Sequence, residues 1–337
     1  MQSANKQVLL AERPTGFPEE SNFRLVETAM PRPGEGEFLV AIAYLSVDPY
    51  MRGRMNEARS YADPVKIGEV MTGGAVGRIV ESRHAKFQAG DYVVGPFGWQ
   101  QYAISDGVGV RRVDPAVAPI STSLGVLGMP GLTAYFGLLD ICRPKQGETV
   151  VVSGAAGAVG SYVGQIARIK GCRVAGVAGS DEKLAWITSE LGFEVGMNYR
   201  TCEDYRTRLK QMCPDGVDVY FDNVGGSITD AMFPLLNPRA RVAICGQIAL
   251  YNLDKPDPGP RLLPIVLVRQ VKVEGFLVFQ FADRYREALT QLTEWVRSGA
   301  LKYREDIAEG IENAPAAFIG MLKGRNIGKQ LVKISDV

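Results

Sequence analysis

The sequence predicts an α/β protein in which a doubly wound parallel-sheet domain is joined to a second, strand-rich domain. Three observations carry that prediction. From Glu148 onward, apolar runs at 149–152, 173–178, 217–221 and 240–245 are separated by helical segments, the pattern of strands buried on both faces of a parallel sheet. The first run leads through Ser153-Gly154-Ala155-Ala156-Gly157-Ala158-Val159-Gly160, a glycine-rich turn that lets backbone N–H groups and a helix N-terminus approach a pyrophosphate. Up to about residue 115 the rhythm is instead period two, as in half-buried strands.

In chain order, Phe38, Val40 and Ile42 alternate with smaller neighbours, and Ala75–Val80 and Tyr92–Val94 repeat the style. Pro31-Arg32-Pro33-Gly34, Gly73-Gly74 and Gly95-Pro96 mark turns between short strands. Within the second region a weaker strand is expected near 195–198 and a final helix near 283–298. A helix over Ala314–Leu322 and a strand over Lys329–Ile334 then return to the first domain. The expected division is residues 1–124 with 300–337 as the strand-rich domain and 125–299 as the nucleotide domain, since 337 residues exceed one ordinary hydrophobic core.

Composition narrows the function. With 46% hydrophobic and 22% charged residues, the chain reads as a folded enzyme-like protein. Lys plus Arg number 38 against 37 for Asp plus Glu, so no net field draws it to nucleic acid or an acidic membrane, and neither is expected as a partner. Cysteines 142, 172, 202, 213 and 245 form no Cys-x-x-Cys pair, which suits free thiols in a reducing compartment. Residues 1–6 lack the features of a signal peptide, and no apolar run approaches the roughly 18 residues needed to span a bilayer. A cytoplasmic protein is expected.

A catalytic zinc needs three protein ligands, usually cysteine and histidine, and His84 is the sole histidine. No metal is expected, and His84 reads as a surface-loop residue. Neither a Ser-His-Asp order nor a Gly-x-x-x-x-Gly-Lys-Ser/Thr phosphate loop is present. Metal-free hydride transfer remains. The strand at 173–178 ends in Gly179-Ser180-Asp181-Glu182-Lys183, without the acid at its tip that would accept bonds from both ribose hydroxyls and repel a 2′-phosphate. Ser180 and Lys183 therefore favour NADPH over NADH. Lys183 also suits a solvated first-turn position, and Asp181 and Glu182 weaken the local positive potential.

Gly154-Ala155-Ala156-Gly157-Ala158-Val159-Gly160-Ser161, Gly179–Lys183, Asn198-Tyr199 and Tyr220-Phe221-Asp222-Asn223-Val224-Gly225-Gly226 resemble the zinc-free branch of the medium-chain dehydrogenase/reductase superfamily. Asp48-Pro49-Tyr50-Met51-Arg52, Gly128-Met129-Pro130-Gly131-Leu132-Thr133-Ala134-Tyr135 and Glu312-Asn313-Ala314-Pro315-Ala316-Ala317-Phe318 extend the likeness over nearly the whole chain. The nearest group holds the leukotriene B4 12-hydroxydehydrogenase/prostaglandin reductases, plant double-bond reductases and curcumin reductases. The resemblance implies a Rossmann domain beside a GroES-like catalytic domain. It implies that Gly157, Ala158, Val159 and Gly160 hold the pyrophosphate and that Lys183 and Tyr199 meet the 2′-phosphate. Asn223, Cys245, Gly246 and Phe276-Leu277-Val278 would line the nicotinamide half, with Asn326 closing over it. Each has a plainer alternative: Cys245 as a small buried residue, Phe276–Val278 as a core strand, Asn326 as a turn former. A homodimer through edge strands of the nucleotide domains is also implied.

Without a metal to polarise a carbonyl, the conjugated system of an enal or enone remains able to accept hydride, at its β-carbon. That reaction needs orientation and a hydrogen-bond donor near the developing enolate. Tyr251, just beyond the strand at 240–245, is the expected donor, since family members carry tyrosine at the matching position. Tyr50, Met51 and Arg52, on a loop after the strand at 38–47, would form part of the substrate wall or pack at a domain interface. The triple-proline loop 255–260 would frame the cleft. The expected function is NADPH-dependent reduction of a hydrophobic α,β-unsaturated aldehyde or ketone. The alternatives are a zinc-free quinone reductase and an NADPH-binding protein without turnover.

Overall fold

A computed structural model of the chain describes residues 4–57 and 60–337. At the start, β1 (Ala4–Leu10) pairs antiparallel with β2 (Phe23–Ala29). A larger sheet follows, built from β3 (Phe38–Ser46), β4 (Ala75–Ser82), β5 (Tyr92–Gly95), β6 (Tyr102–Ser105) and β7 (Arg111–Val113). The alternation read in β3 does not become alternating exposure. Phe38 to Ala43 are all buried, and because successive side chains point to opposite faces, both faces of this strand are covered.

Residues 50–52, expected on a loop, instead open a short helix, α1 (Tyr50–Arg54). Pro49 lies at φ −59 and ψ −32, so its ring fixes the chain in the helical region just before the turn begins.

The second unit alternates helix and strand. It runs α2 (Met129–Phe136), β8 (Thr149–Ser153), α3 (Ala158–Ile169), β9 (Arg173–Ala178), α4 (Asp181–Ser189), β10 (Val195–Asn198) and α5 (Tyr205–Met212). It continues with β11 (Val217–Asp222), α6 (Gly226–Met232), β12 (Leu236–Ile244), α7 (Leu263–Arg269), β13 (Lys272–Gly275) and α8 (Tyr285–Arg297). The six strands are parallel, in the order β10-β9-β8-β11-β12-β13. Strand order reverses between β8 and β11, the switch point outside which ligands bind in such sheets.

Every residue of β8 is buried, and Val151, Val177, Tyr220, Met232 and Val242 share one core cluster. β13 was not among the expected strands. Its Lys272 and Glu274 pair with each other at 2.6 Å, and such charges interrupt the continuous apolar run that marked its neighbours. The residues Phe276-Leu277-Val278 lie beyond the end of β13 rather than within a core strand.

The chain then adds β14 (Glu305–Glu309), α9 (Ala314–Leu322) and β15 (Lys329–Lys333). β15 pairs with β3, Leu331 opposite Ser46, so the C-terminal segment completes the first unit's sheet. The two compact units are Met1–Gly125 with Glu305–Val337, and Val126–Arg304.

Candidate cofactor and active site

The turn after β8 is built by backbone geometry. Gly154 has φ +62, in the left-handed region where a Cβ is strained, so the glycine beside the usual first slot serves the turn. A Cβ on Gly160 would collide with the Gly154 carbonyl oxygen, and this brings the first turn of α3 tight against the strand end. Ala155, which departs from the common glycine pattern, is accommodated by its neighbour. A Cβ on Gly176 of β9 would lie 2.8 Å from the Ala155 methyl.

Gly157 caps α3 without a side-chain hydrogen bond. The N–H groups of the first turn, those of Ala158, Val159 and Gly160 among them, have no acceptor within the helix. A pyrophosphate fits this cradle: its oxygens would accept from those amides at the positive end of a 12-residue helix.

At the end of β9, Ser180 caps α4, its Oγ accepting from the Lys183 N–H at 3.2 Å. Lys183 is half-buried rather than fully solvated. The two neighbouring acids are engaged elsewhere: Asp181 accepts from Asn198 Nδ2 at 2.9 Å and Glu182 lies 3.9 Å from Arg304. Tyr199, after β10, is drawn over Gly179, where a Cβ would stand 2.9 Å from the phenol oxygen. The Arg200 guanidinium lies 5.8 Å from the Tyr199 ring centroid. Lys183 and Tyr199 thus follow the ends of β9 and β10, with Gly179 and Ser180 rather than an acid at the tip of β9, and these residue types fit a phosphorylated ribose.

The ends of β11 and β12 are organised by Asp222, which is fully buried. Its Oδ1 accepts from Ser153 Oγ at 2.9 Å, the Tyr220 hydroxyl at 3.0 Å, Val224 N at 3.0 Å and Gly225 N at 2.9 Å. Its Oδ2 accepts from Thr229 Oγ1 at 2.7 Å and Gln247 Nε2 at 3.1 Å. Asn223 donates through Nδ2 to the Ser153 carbonyl at 2.7 Å, joining the two sides of the switch point. Cys245 N and Gly246 N both donate to the Asp222 carbonyl, at 2.8 and 3.1 Å. Burial, reinforced by Asp222, pushes the Cys245 thiol up to about 12, so it is a neutral, inert neighbour at physiological pH.

Tyr251 follows a short turn at Ile248–Leu250. Its hydroxyl oxygen accepts from the Gln247 N–H at 3.2 Å, and a Cβ on Gly246 would lie 3.4 Å from it. Burial raises its pKa, the Gln247 amide opposing. The phenol is therefore protonated at neutral pH, and the bond from Gln247 leaves its own proton available to donate. Phe276 is buried with its ring edge-on to Phe221 at 6.1 Å; Leu277 is exposed and Val278 half-buried. Gly157–Gly160, Ser180, Lys183, Tyr199, Asn223, Cys245, Gly246, Tyr251 and Phe276–Val278 thus all follow the carboxyl ends of the sheet's strands.

In the first unit, Met51 is completely enclosed and Arg52 nearly so. Arg52 donates to Asn56 Oδ1 at 2.5 Å and to the Gly16 carbonyl at 2.9 Å. These two side chains pack and anchor a loop. Tyr50 alone of the three is half-buried rather than buried, and burial, then Asp48, raises its pKa well above the ordinary phenol value. Asn326 donates to the Gly328 carbonyl at 2.8 Å, the turn-forming alternative. His84 is half-buried between exposed loop residues, its Nδ1 accepting from Lys86 N at 2.9 Å.

Sequence reasoning missed Asp222 and Gln247 as organisers of the site, although Asp222 stands within the quoted Tyr220–Gly226 motif. It also missed Lys329, whose ammonium donates to Val47 O at 2.7 Å and Gln330 O at 2.9 Å, and pairs with Asp48 at 3.1 Å. Among the described residues, no group of three or more His, Cys, Asp or Glu is placed to hold a metal ion.

Comparison with known proteins bears on the whole arrangement. Residues 6–113 match the family described as the N-terminal domain of oxidoreductase, and residues 158–294 match the family described as zinc-binding dehydrogenase. The chain is 48% identical over 336 residues to the NADPH-dependent curcumin reductase of Escherichia coli, covering 98% of this chain and 97% of that one. It is 48% identical over 322 residues to prostaglandin reductase 1 of Rattus norvegicus, covering 94% and 95%. The crystal structure of CurA in complex with NADPH from Vibrio vulnificus superposes with a TM-score of 0.94 at 46% identity, covering 98% of this chain and 100% of that one.

Proposed function

Since the chain belongs to the zinc-independent medium-chain dehydrogenase/reductase family, in its prostaglandin reductase and curcumin reductase branch, we propose that it reduces the carbon–carbon double bond of hydrophobic α,β-unsaturated aldehydes and ketones with NADPH. The observation that carries the reading is Tyr251. It is a protonated phenol at the carboxyl end of β12, in the same row of strand ends as the uncapped glycine turn. Bound NADPH supplies a hydride to the β-carbon of the conjugated carbonyl.

The chain's own residues do the rest. Amides of Ala158, Val159 and Gly160 hold the pyrophosphate, and Ser180, Lys183 and Tyr199 select the 2′-phosphate. Asn223, Cys245, Gly246 and the backbone of Phe276–Val278 line the nicotinamide position, and Asn326 belongs to the same set on the strength of the resemblance. Tyr251 donates a hydrogen bond to the carbonyl oxygen as negative charge gathers there, then gives its proton to the enolate. Tyr50 offers an aromatic face to the substrate, with Met51 and Arg52 holding its helix in place.

The reading includes a homodimer joined through β13. Its support is the open edge of that strand and the exposure of Leu263, Leu267 and Val268 at 78%, 78% and 79%, an apolar patch of the kind that marks association surfaces. A cytoplasmic location is supported by five free cysteines. No helix among the described residues is long and apolar enough to cross a membrane.

The test is to follow NADPH and NADH oxidation with a panel of enals, enones, a phenolic dienone and quinones. Enal and enone reduction with NADPH is expected, and Tyr251→Phe should lower kcat by roughly 100-fold while leaving NADPH affinity nearly intact. Turnover of quinones alone would replace the reading with a quinone reductase, and no oxidation with any acceptor would leave a binding protein. A preference for NADH would remove the role given to Lys183.

A further inference from the structure

We propose that Gln247 is a positioning residue that ties the proton donor Tyr251 to the buried carboxylate of Asp222. The inference rests on the reading of Tyr251 as that donor. Gln247 makes the connection with two different groups. Its backbone N–H donates to the Tyr251 hydroxyl oxygen at 3.2 Å. Its side-chain Nε2 donates to Asp222 Oδ2 at 3.1 Å and to the Gly246 carbonyl at 2.9 Å. An amide NH₂ carries two hydrogens, so both are committed and the side chain has one orientation.

The rest of the loop is laced to the end of β11 by Cys245 N and Gly246 N on the Asp222 carbonyl and by Ala249 N on the Val224 carbonyl. None of these bonds touches Tyr251. Gln247 itself has φ −133 and ψ 52, outside the helical region, at the point where the chain bends into the turn that folds the tyrosine back over this amide. Holding the Gln247 side chain therefore sets the direction of the N–H that meets the phenol.

That N–H also has a chemical role. When Tyr251 transfers its proton to the enolate, the O–H bond breaks, a C–H or O–H bond forms on the substrate, and negative charge is left on the phenol oxygen. A preoriented donor strengthens its hydrogen bond as that charge develops, and water returns the proton afterwards. On this proposal Gln247 acts on the transferring step through Tyr251.

The test compares Gln247→Leu, Gln247→Glu, Tyr251→Phe and the Gln247→Leu/Tyr251→Phe double variant, each as full-length protein with NADPH and an enal. Gln247→Leu should lower kcat roughly tenfold, as a misdirected catalytic group does, while KM and the NADPH Kd from fluorescence titration stay within about twofold. The double variant should be no slower than Tyr251→Phe alone, because residues acting as a unit are not additive. In Gln247→Glu the introduced carboxyl faces Asp222, and a proton shared between them restores the hydrogen bond, so kcat relative to wild type should recover as pH falls; Gln247→Leu shows no such recovery. The phenols of Tyr220 and Tyr251 and the thiol of Cys245 are all raised by burial, so none changes charge on that acid side. Wild-type kcat in Gln247→Leu beside a crippled Tyr251→Phe overturns the positioning role alone, as do effects that multiply in the double variant. An unimpaired Tyr251→Phe instead removes the donor itself. Should Gln247→Leu fail to bind NADPH, the presence or absence of acid recovery in Gln247→Glu decides.

Discussion

Asp48 and Asp222 are both sealed from solvent, one in each unit, yet their charges are compensated in opposite ways. Among the described residues, Asp48 pairs with a single cation. Lys329 pairs with it at 3.1 Å and spends its other two hydrogens on the carbonyls of Val47 and Gln330, while Ser46 Oγ donates to the second carboxylate oxygen. Among the described residues Asp222 has no cation in ion-pair range and accepts six hydrogen bonds from hydroxyls, amides and a side-chain NH₂. Concentrated compensation makes one bond indispensable. Distributed compensation makes each bond modest and lets the carboxylate gather several loops around a site.

The largest effect expected from this difference is that of Lys329→Met. Removing one partner of a buried ion pair leaves the other charge unmatched, at about 3–5 kcal/mol. Urea unfolding should show that loss, and adding Asp48→Asn should recover part of it. A stability near wild type in the single variant would mean that Asp48 is not held by this cation. Next comes Thr229→Val, which deletes one of six donors to Asp222 with little change of shape. It should cost about 1 kcal/mol in the same measurement, and a loss as large as that of Lys329→Met would break the contrast.

The smallest effect is a pH dependence. Burial lowers the Lys329 pKa from its ordinary 10.5, opposed by Asp48 and Glu305. In the alkaline window between the folded and unfolded values the unfolded chain binds the extra proton, so this group's contribution to stability rises with pH there and falls as pH drops through the folded value. The stability difference between wild type and Lys329→Met should therefore change across that window. The difference between wild type and Thr229→Val should change less, since the donors that serve Asp222 are hydroxyls, backbone amides and a side-chain NH₂.

These two carboxylates also mark what the sequence could not display. The parallel strands were legible because two covered faces demand unbroken apolar runs, as in Val150-Val151-Val152. β13 was not, because Lys272 and Glu274 on an open edge erase that run. α1 spans five residues, too few for a helical period to emerge. The glycine turn and the non-acidic strand tip could be read because backbone approach and charge repulsion constrain residue type locally. Lys329 reaches Val47 across 282 positions, and Gln247 reaches Asp222 across 25. Nothing local to a lysine or a glutamine announces a partner so distant in the chain, and only the closed fold reveals it. Met51 and Arg52 illustrate the converse: both stand in a motif that is recognised whole, yet their side chains are buried in packing.

The bare N-terminus of α3 has one further consequence. A helix end without a side-chain cap can be completed by an anion, so on the proposed reading the dinucleotide would act as a missing structural part as well as a reactant. Stabilisation by such a ligand grows with the logarithm of its concentration above Kd. The melting temperature of the purified chain thus becomes a gauge of cofactor occupancy. Titrating it against NADPH and NADH separately would rank the two nucleotides with no substrate in the tube.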